Sequence, residues 1–388
     1  MRRNHTHTGL LKYFRRRLPA VVALGLVGSG AASPAALACS QHAPVSFWER
    51  ALQSVSSEDT MAAALPAGRM TRAVKAGTAA AAKKSNKKSK AAPKRQQQEE
   101  PANATPRKRW VTGSRYVQTT APSTLREMGC QAGREHRTGL VILAFGKPAY
   151  NGHTYGTILF SNRFAGNFQI TSAMKAYAVG YAKCLPQDSD AAITLSRGTS
   201  NYHIDVPNTV NAGKRWARET QVLQTWLDEH PAVGEHVKSA AAIDAEPAWN
   251  PSFKLTHAFF NGYRSFFGDS EDGLALYNFG SLDGGVGAIW SLRQAFYVSG
   301  GMKYARVVPE IYFPSMAKQW AELARMARER YGREVQFAGL MTQRAPGCGP
   351  SRCGMGPAQA HRTLKRALAS ADSTRELADR LAHVTNIN

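Results

Sequence analysis

From Leu140 to Gly146 the chain reads LVILAFG, an apolar run of strand length closed by glycine. A segment apolar at every position, rather than at alternate ones, predicts a strand covered on both faces. Ile170 to Cys184 (ITSAMKAYAVGYAKC) follows with helical length, and the alternation then repeats. Ala191 to Gly198 reads as a strand and Gly213 to His230 as a helix with Val222, Leu223, Trp226 and Leu227 on one face. His236 to Glu246 is a strand, Leu255 to Phe267 a helix, Gly273 to Gly280 a strand and Ala288 to Ala295 a helix. Phe296 to Gly300 and Arg306 to Phe313 are short strands. Ser315 to Tyr331 is an amphipathic helix carrying Met316, Trp320, Leu323 and Met326, Val335 to Met341 is a further strand, and a last helix begins at Pro357.

Wholly apolar strands separated by helices imply parallel pairing through right-handed crossovers. About seven such units in one domain fit an α/β fold of the TIM-like (β/α) barrel type, over residues 111–388, better than an open doubly wound sheet, which remains the alternative. The glycine-rich stretch Ser281 to Gly287 (SLDGGVG) has neither G-x-G-x-x-G nor G-K-[ST], so no nucleotide loop is expected.

Upstream the pattern changes. Arg2, Arg3, Lys12 and Arg15 to Arg17 precede an uncharged Ala/Val/Leu/Gly stretch from Leu18 to Leu37, ending Ala36-Leu37-Ala38-Cys39. This is the layout of a signal peptide over residues 1–38, and the glycines and prolines inside the stretch argue against a membrane anchor. Phe47, Trp48, Ala51, Leu52 and Val55 suggest one short helix within residues 39–67. Residues 68–110, rich in Ala, Lys, Gln, Ser and Pro, read as a disordered basic linker.

Of the 388 residues 43% are hydrophobic, enough for a large core, and the net charge is +23. Residues 1–110 hold 20 Lys and Arg against 5 Asp and Glu, so most of that charge lies in segments that do not read as folded. This argues against nucleic acid as partner, which would require basic residues fixed on a folded surface. The linker suits contact with anionic polymers of a cell envelope, or serves only as a self-repelling spacer.

The five cysteines are Cys39, Cys130, Cys184, Cys348 and Cys353. Ala-Leu-Ala-Cys resembles a loose lipobox, and lipidation of Cys39 leaves an even four, with Cys348 and Cys353 (CGPSRC) and Cys130 and Cys184 as candidate disulfides in an exported protein. The alternative is that Cys39 is simply the first mature residue and that free thiols remain. Without C-x-x-C, H-E-x-x-H or G-x-S-x-G there is no support for a metal or cofactor.

In a barrel the chemistry lies at the C-terminal ends of the strands. Asp244 and Glu246, in IDAEPAW, are two apart at such an end, on one side of the strand, with Cα atoms about 6.6 Å apart. Two carboxylates in an apolar strand are costly unless paired, bound to a cation or used. They suit glycoside chemistry: Glu246 would protonate the leaving oxygen, its proton held on by neighbouring Asp244, which would orient an acetamido group where the sugar carries one. The competing reading is a structural pair bridged to Arg197 or Arg264. Glu310, in VVPEIYF, is a third candidate, as catalytic carboxylate or sugar ligand. Trp249, Tyr277, Asn278, Tyr297, Tyr312 and Gln343 provide the aromatic rings and amides of a sugar site. Phe145, Lys147, Arg197 and Asn201 would complete the rim.

IDAEPAWN, LYNFGS, PEIYF and GLMTQ, in this order, resemble a group of exported actinobacterial glycoside-hydrolase-like proteins and, more distantly, the Chalaropsis-type muramidases, which carry an acidic D-x-E at a strand end. The resemblance covers about residues 135–345. It implies a (β/α) barrel and places Asp244 and Glu246 at the acidic pair. The expectation is an exported, envelope-tethered protein that cleaves a cell-wall or extracellular glycan. The alternative is a non-catalytic barrel that binds glycan or a protein partner at the envelope.

Overall fold

The computed structural model describes residues 112–343, 355–381 and 385–387. The expected signal peptide, helical segment and linker, with Cys39, Cys348 and Cys353, lie outside them.

The described chain opens with β1 (Thr112–Tyr116), followed by α1 (Pro122–Arg134), so LVILAFG is not the first strand. It forms β2 (Gly139–Ala144), and the next segment is a small antiparallel sheet of β3 (Lys147–Tyr150), β4 (Tyr155–Ile158) and β5 (Phe164–Gly166). Then come α2 (Asn167–Cys184), β6 (Ile193–Ser200), α3 (Thr209–Asp228), β7 (Val237–Asp244), α4 (Lys254–Phe267) and β8 (Leu276–Asn278). The chain ends with α5 (Leu292–Phe296), β9 (Ala305–Val307), α6 (Pro314–Tyr331), β10 (Met341–Gln343), α7 (Pro357–Ala369), α8 (Arg375–Arg380) and β11 (Thr385–Ile387).

Eight of the strands form one sheet in the order β10-β11-β1-β2-β6-β7-β8-β9, every pairing parallel. Past β9 the chain also bonds to β10, which stands at the other end of that order. Ile311 N–H donates to Met341 O and Met341 N–H to Pro309 O, both at 2.8 Å.

Alternate residues of each strand enter different cores, as the two-residue period requires. Val141, Leu143, Leu195, Ala241 and Ile243 pack beneath helices with Met174, Tyr177, Leu223, Phe259 and Phe260. Leu140, Ile142, Ala144, Ala242, Val308 and Met341 form a separate cluster on the opposite side of the strands. A third cluster joins α6, α7 and α8 through Trp320, Leu323, Leu364, Leu368 and Leu377.

Three expected strands differ. Phe296 to Gly300 is helical: α5 runs into a π-helical turn over Tyr297–Gly301, and Tyr297 packs among the rings of Phe253, His257 and Phe260. Its β-forming composition is overridden by that packing. Arg306 to Phe313 shortens to β9, because Pro309 has no N–H to continue a ladder. Val335 to Met341 touches its neighbour only through bridges at Phe337 and Met341, with Gly339 between them at φ 141°.

Cys130 and Cys184 form the expected disulfide and tie α1 to the end of α2. Glycines let helices meet backbone to backbone: a Cβ on Gly213 would overlap the Phe259 carbonyl, and one on Gly262 the Val210 carbonyl, so α3 and α4 cross in direct contact. Among the described residues no helix is long and apolar enough to cross a membrane.

Candidate active site

Asp244 ends β7, only 6% exposed, and Glu246 follows two residues later, half-buried. Glu310, 6% exposed, lies three residues beyond β9. One carboxylate oxygen from each of these three side chains lies within 4.8 Å of the other two. The parallel register explains the meeting: Ser200 is level with Asp244, and Asn278 is level with Ile243 and Val307, so the chain leaves three neighbouring strands at one height.

Backbone and amide contacts fix the cluster. Asn201, just after β6, clamps the main chain of Glu246 from both sides, its Oδ1 accepting from Glu246 N–H at 3.0 Å and its Nδ2 donating to Glu246 O at 2.9 Å. Asn278 Oδ1 accepts from Ala245 N–H and Gly280 N–H, both at 3.2 Å, which ties the ends of β7 and β8 together. Gly280 O accepts from Glu310 N–H at 3.3 Å. A Cβ on Gly280 would lie 2.9 Å from Asp244 Oδ1, so only glycine lets β8 pass this close to the carboxylate.

Burial and mutual repulsion set the charges. Desolvation pushes Asp244 well above the usual carboxylate range, reinforced by Glu246, Glu310 and Asp283. Glu246 is likewise pushed well up, first by burial and then by Glu310 and Asp283, with a hydrogen bond from Ser281 N–H to Glu246 Oε1 at 3.3 Å opposing the shift. Burial raises Glu310 to about 7, against the hydrogen bonds it accepts from Tyr312 and Glu246. A hydrogen bond between two carboxyl groups requires a proton on one of them, and here Glu246 is the donor. The cluster thus holds a proton at neutral pH. The same three hard oxygens have the spacing that a divalent cation would require.

The other expected site residues divide. Tyr312 meets Glu310 as a hydrogen-bond donor. Trp249 is half-buried beyond β7, edge-on to Tyr202 at 5.4 Å. Asn278 spends its carbonyl on the backbone, which makes it a brace for the two strand ends. Tyr277 lies mid-strand, level with Ala242, and packs with the cluster of Leu140 and Ile142 below the carboxylates. Tyr297 lies in the helical turn under α4, away from the cluster. Gln343 lies on β10, level with Ile387.

Arg197 is not on the rim. It is fully buried on the helix-facing side of β6, stacked on Trp216 at 4.1 Å and donating to Thr171 Oγ1 and Asn167 Oδ1, both at 3.2 Å. Desolvation pulls its guanidinium down to about 10. Arg264 pairs with Asp269 instead. Neither arginine bridges the D-x-E pair.

Two contributors escaped the sequence reading. Tyr116, at the end of the unforeseen β1, stacks on Phe160 at 4.5 Å. Its phenol is held well above its ordinary value by desolvation and by Asp244, Glu310 and Glu246. Asp283 lies in the SLDGGVG loop, where the glycines had drawn attention only as a test for phosphate binding.

No protein-family model and no curated protein matches the sequence. Among solved structures the chain is similar to a RuBisCO-like protein from Rhodopseudomonas palustris, at 11% identity and TM-score 0.35, over 73% of this chain and 60% of that one. It is similar to an endo-1,4-beta-mannanase from Rhizomucor miehei, at 8% identity and TM-score 0.33, over 72% of this chain and 84% of that one. It is also similar to a glycoside hydrolase, at 9% identity and TM-score 0.38, over 72% of this chain and 61% of that one. The chain thus spans less than two thirds of the first and third of these structures. At such TM-scores the likeness bears on neither substrate nor reaction.

Proposed function

We propose that the chain is a glycoside hydrolase whose closed (β/α) barrel carries Glu246 as general acid, exported and held at the cell envelope through its N-terminal region. The reading is carried by one observation: three carboxyl groups, buried and within 4.8 Å of one another, hold a proton between Glu246 and Glu310. The backbone bonds between β10 and the chain after β9 support closure of the barrel, and the Cys130–Cys184 disulfide is compatible with export.

In this mechanism Glu246 gives its proton to the glycosidic oxygen as the bond to the anomeric carbon breaks. The ionised partners, Asp244 and Glu310, stabilise the developing positive charge. Carboxyl groups this close leave no room for the water that inversion places between them, so the geometry favours retention. The anomeric carbon is then taken by Glu310, or by an acetamido oxygen oriented by Asp244. Water completes the hydrolysis, its proton returning to Glu246. Trp249 and Tyr116 supply apolar faces for sugar rings.

The test is release of new reducing ends from peptidoglycan, chitin-type and plain glucan substrates by the full chain, wild type beside Glu246→Gln, each with and without chelator. Release by the wild type alone, indifferent to chelator, is the expected result. Loss of activity on chelation would replace the shared proton by a cation. A folded wild type that releases nothing from any substrate would leave the glycan-binding barrel as the reading.

A further inference from the structure

The loop after β8 touches all three carboxylates. Gly280 O accepts from Glu310 N–H, Gly280 lies against Asp244 Oδ1, and Ser281 N–H donates to Glu246 Oε1. The next acidic residue in that loop, Asp283, is held with unusual firmness. Ser281 Oγ donates to its Oδ1 at 2.6 Å, and Ala248 N–H, two residues beyond Glu246, donates to its Oδ2 at 2.8 Å. Its backbone is left-handed at φ 42°, and Gly284 and Gly285 follow at 96° and 104°. That conformation costs an ordinary L-residue roughly 1–2 kcal/mol, less for Asp or Asn, and here two side-chain hydrogen bonds offset it. The loop is bent into a strained path whose result is to present one carboxylate to the acid cluster.

We propose that Asp283 is a positioning residue for Glu246: anchored by Ser281 and Ala248, its carboxylate faces the acid from the β8 side and keeps the Glu246 proton in place for donation. Ser281 couples the two directly, with its amide on Glu246 and its hydroxyl on Asp283. The other titratable groups around Glu246 are Asp244 from β7, Glu310 and Tyr312 from the segment after β9, and Tyr116 from β1. All are acids or phenols, so nothing in that ring replaces the repulsion that Asp283 supplies. The like-charge effect of Asp283 on Asp244, Glu246 and Glu310 acts in the same sense.

The inference rests on Glu246 being the acid, but its test does not require turnover. Carboxyl-13C glutamate is incorporated into the full chain, the Glu246 and Glu310 signals are assigned with Glu246→Gln and Glu310→Gln, and both are titrated by NMR in wild type, Asp283→Asn and Asp283→Glu. Asn tolerates the left-handed backbone, so Asp283→Asn removes the charge with the least disturbance. The expected result is a lower titration midpoint for Glu246 in Asp283→Asn, restored toward wild type in Asp283→Glu. A brace without electrostatic effect would lower the melting temperature and leave the midpoint in place, and an unchanged or raised midpoint in folded Asp283→Asn overturns the proposal. If that variant does not fold, Ser281→Ala decides: releasing the Oγ anchor should lower the midpoint, and no shift overturns the proposal. Where a glycan is cleaved, the alkaline limb of kcat/KM moves to lower pH in Asp283→Asn. If none is cleaved, the glycosidase reading falls while the titration still decides the role of Asp283.

Discussion

Replacing Glu310 by Gln should stabilise the protein at neutral and alkaline pH while damaging the candidate site. Glu310 is 6% exposed and titrates near 7 in the folded chain, against an ordinary value of 4.5. Below about pH 4.5 both folded and unfolded chains carry the proton, and the carboxyl costs nothing. Between about 4.5 and 7 the folded chain binds more protons than the unfolded one, so stability falls as pH rises, and above about 7 the cost is complete. At 1.36 kcal/mol per pH unit this amounts to about 3 kcal/mol at pH 8. Gln retains an acceptor for Tyr312 and Glu246, though a weaker one, so the net gain should be about 2 kcal/mol. Urea unfolding of wild type and Glu310→Gln at pH 4 and pH 8 measures it. The variant should gain that amount at pH 8, with a melting temperature roughly 5 °C higher, and be level with wild type at pH 4. A variant weaker at pH 8, or a gain equal at both pH values, would show that burial and repulsion do not govern this carboxyl.

Other perturbations address the scaffold. Cys130→Ser opens a cross-link spanning 54 residues and should cost about 4 kcal/mol, read as a lower urea midpoint that matches reduced wild type. Arg197→Lys loses the stack on Trp216 and the fork to Thr171 and Asn167, and should cost about 2 kcal/mol in the same assay with no change in the Glu246 titration. Gly262→Ala drives a methyl into the Val210 carbonyl, so α3 and α4 must separate, with an expected loss of more than about 2 kcal/mol in thermal unfolding.

The parts legible in the sequence were those buried on both sides. β6, β7 and the long helices announce themselves because each residue that meets a core is apolar, and Asp244 and Glu246 stand out against that background. β1 (TGSRY) was invisible because its buried positions include Ser114, and α1 because its apolar face is interrupted by Glu127, Gln131 and glycines. Tyr116 was lost with β1. The Tyr297 error came from reading β-propensity in a segment whose hydrogen bonds are helical. Glu310 was found within a strand pattern, although Pro309 ends β9 before it. Asp283 left no signal of its own, since Asp followed by Gly-Gly is ordinary turn composition and its partners, Ser281 and Ala248, are brought together only by the parallel register of β7 and β8.

The place of β11 in the sheet bears on how the chain is made. Thr385–Ile387 lies between β1 and β10 and supplies the partners of both. On a ribosome, β1 emerges early and finds β2, but its other edge stays open until the final residues clear the exit tunnel. During that interval the nascent domain presents two unpaired strand edges, the feature that invites pairing with another chain. Folding to completion is therefore a post-release event, and a chain clipped just before Thr385 would expose those edges for its whole lifetime. Its aggregation propensity would then exceed what the loss of three residues suggests.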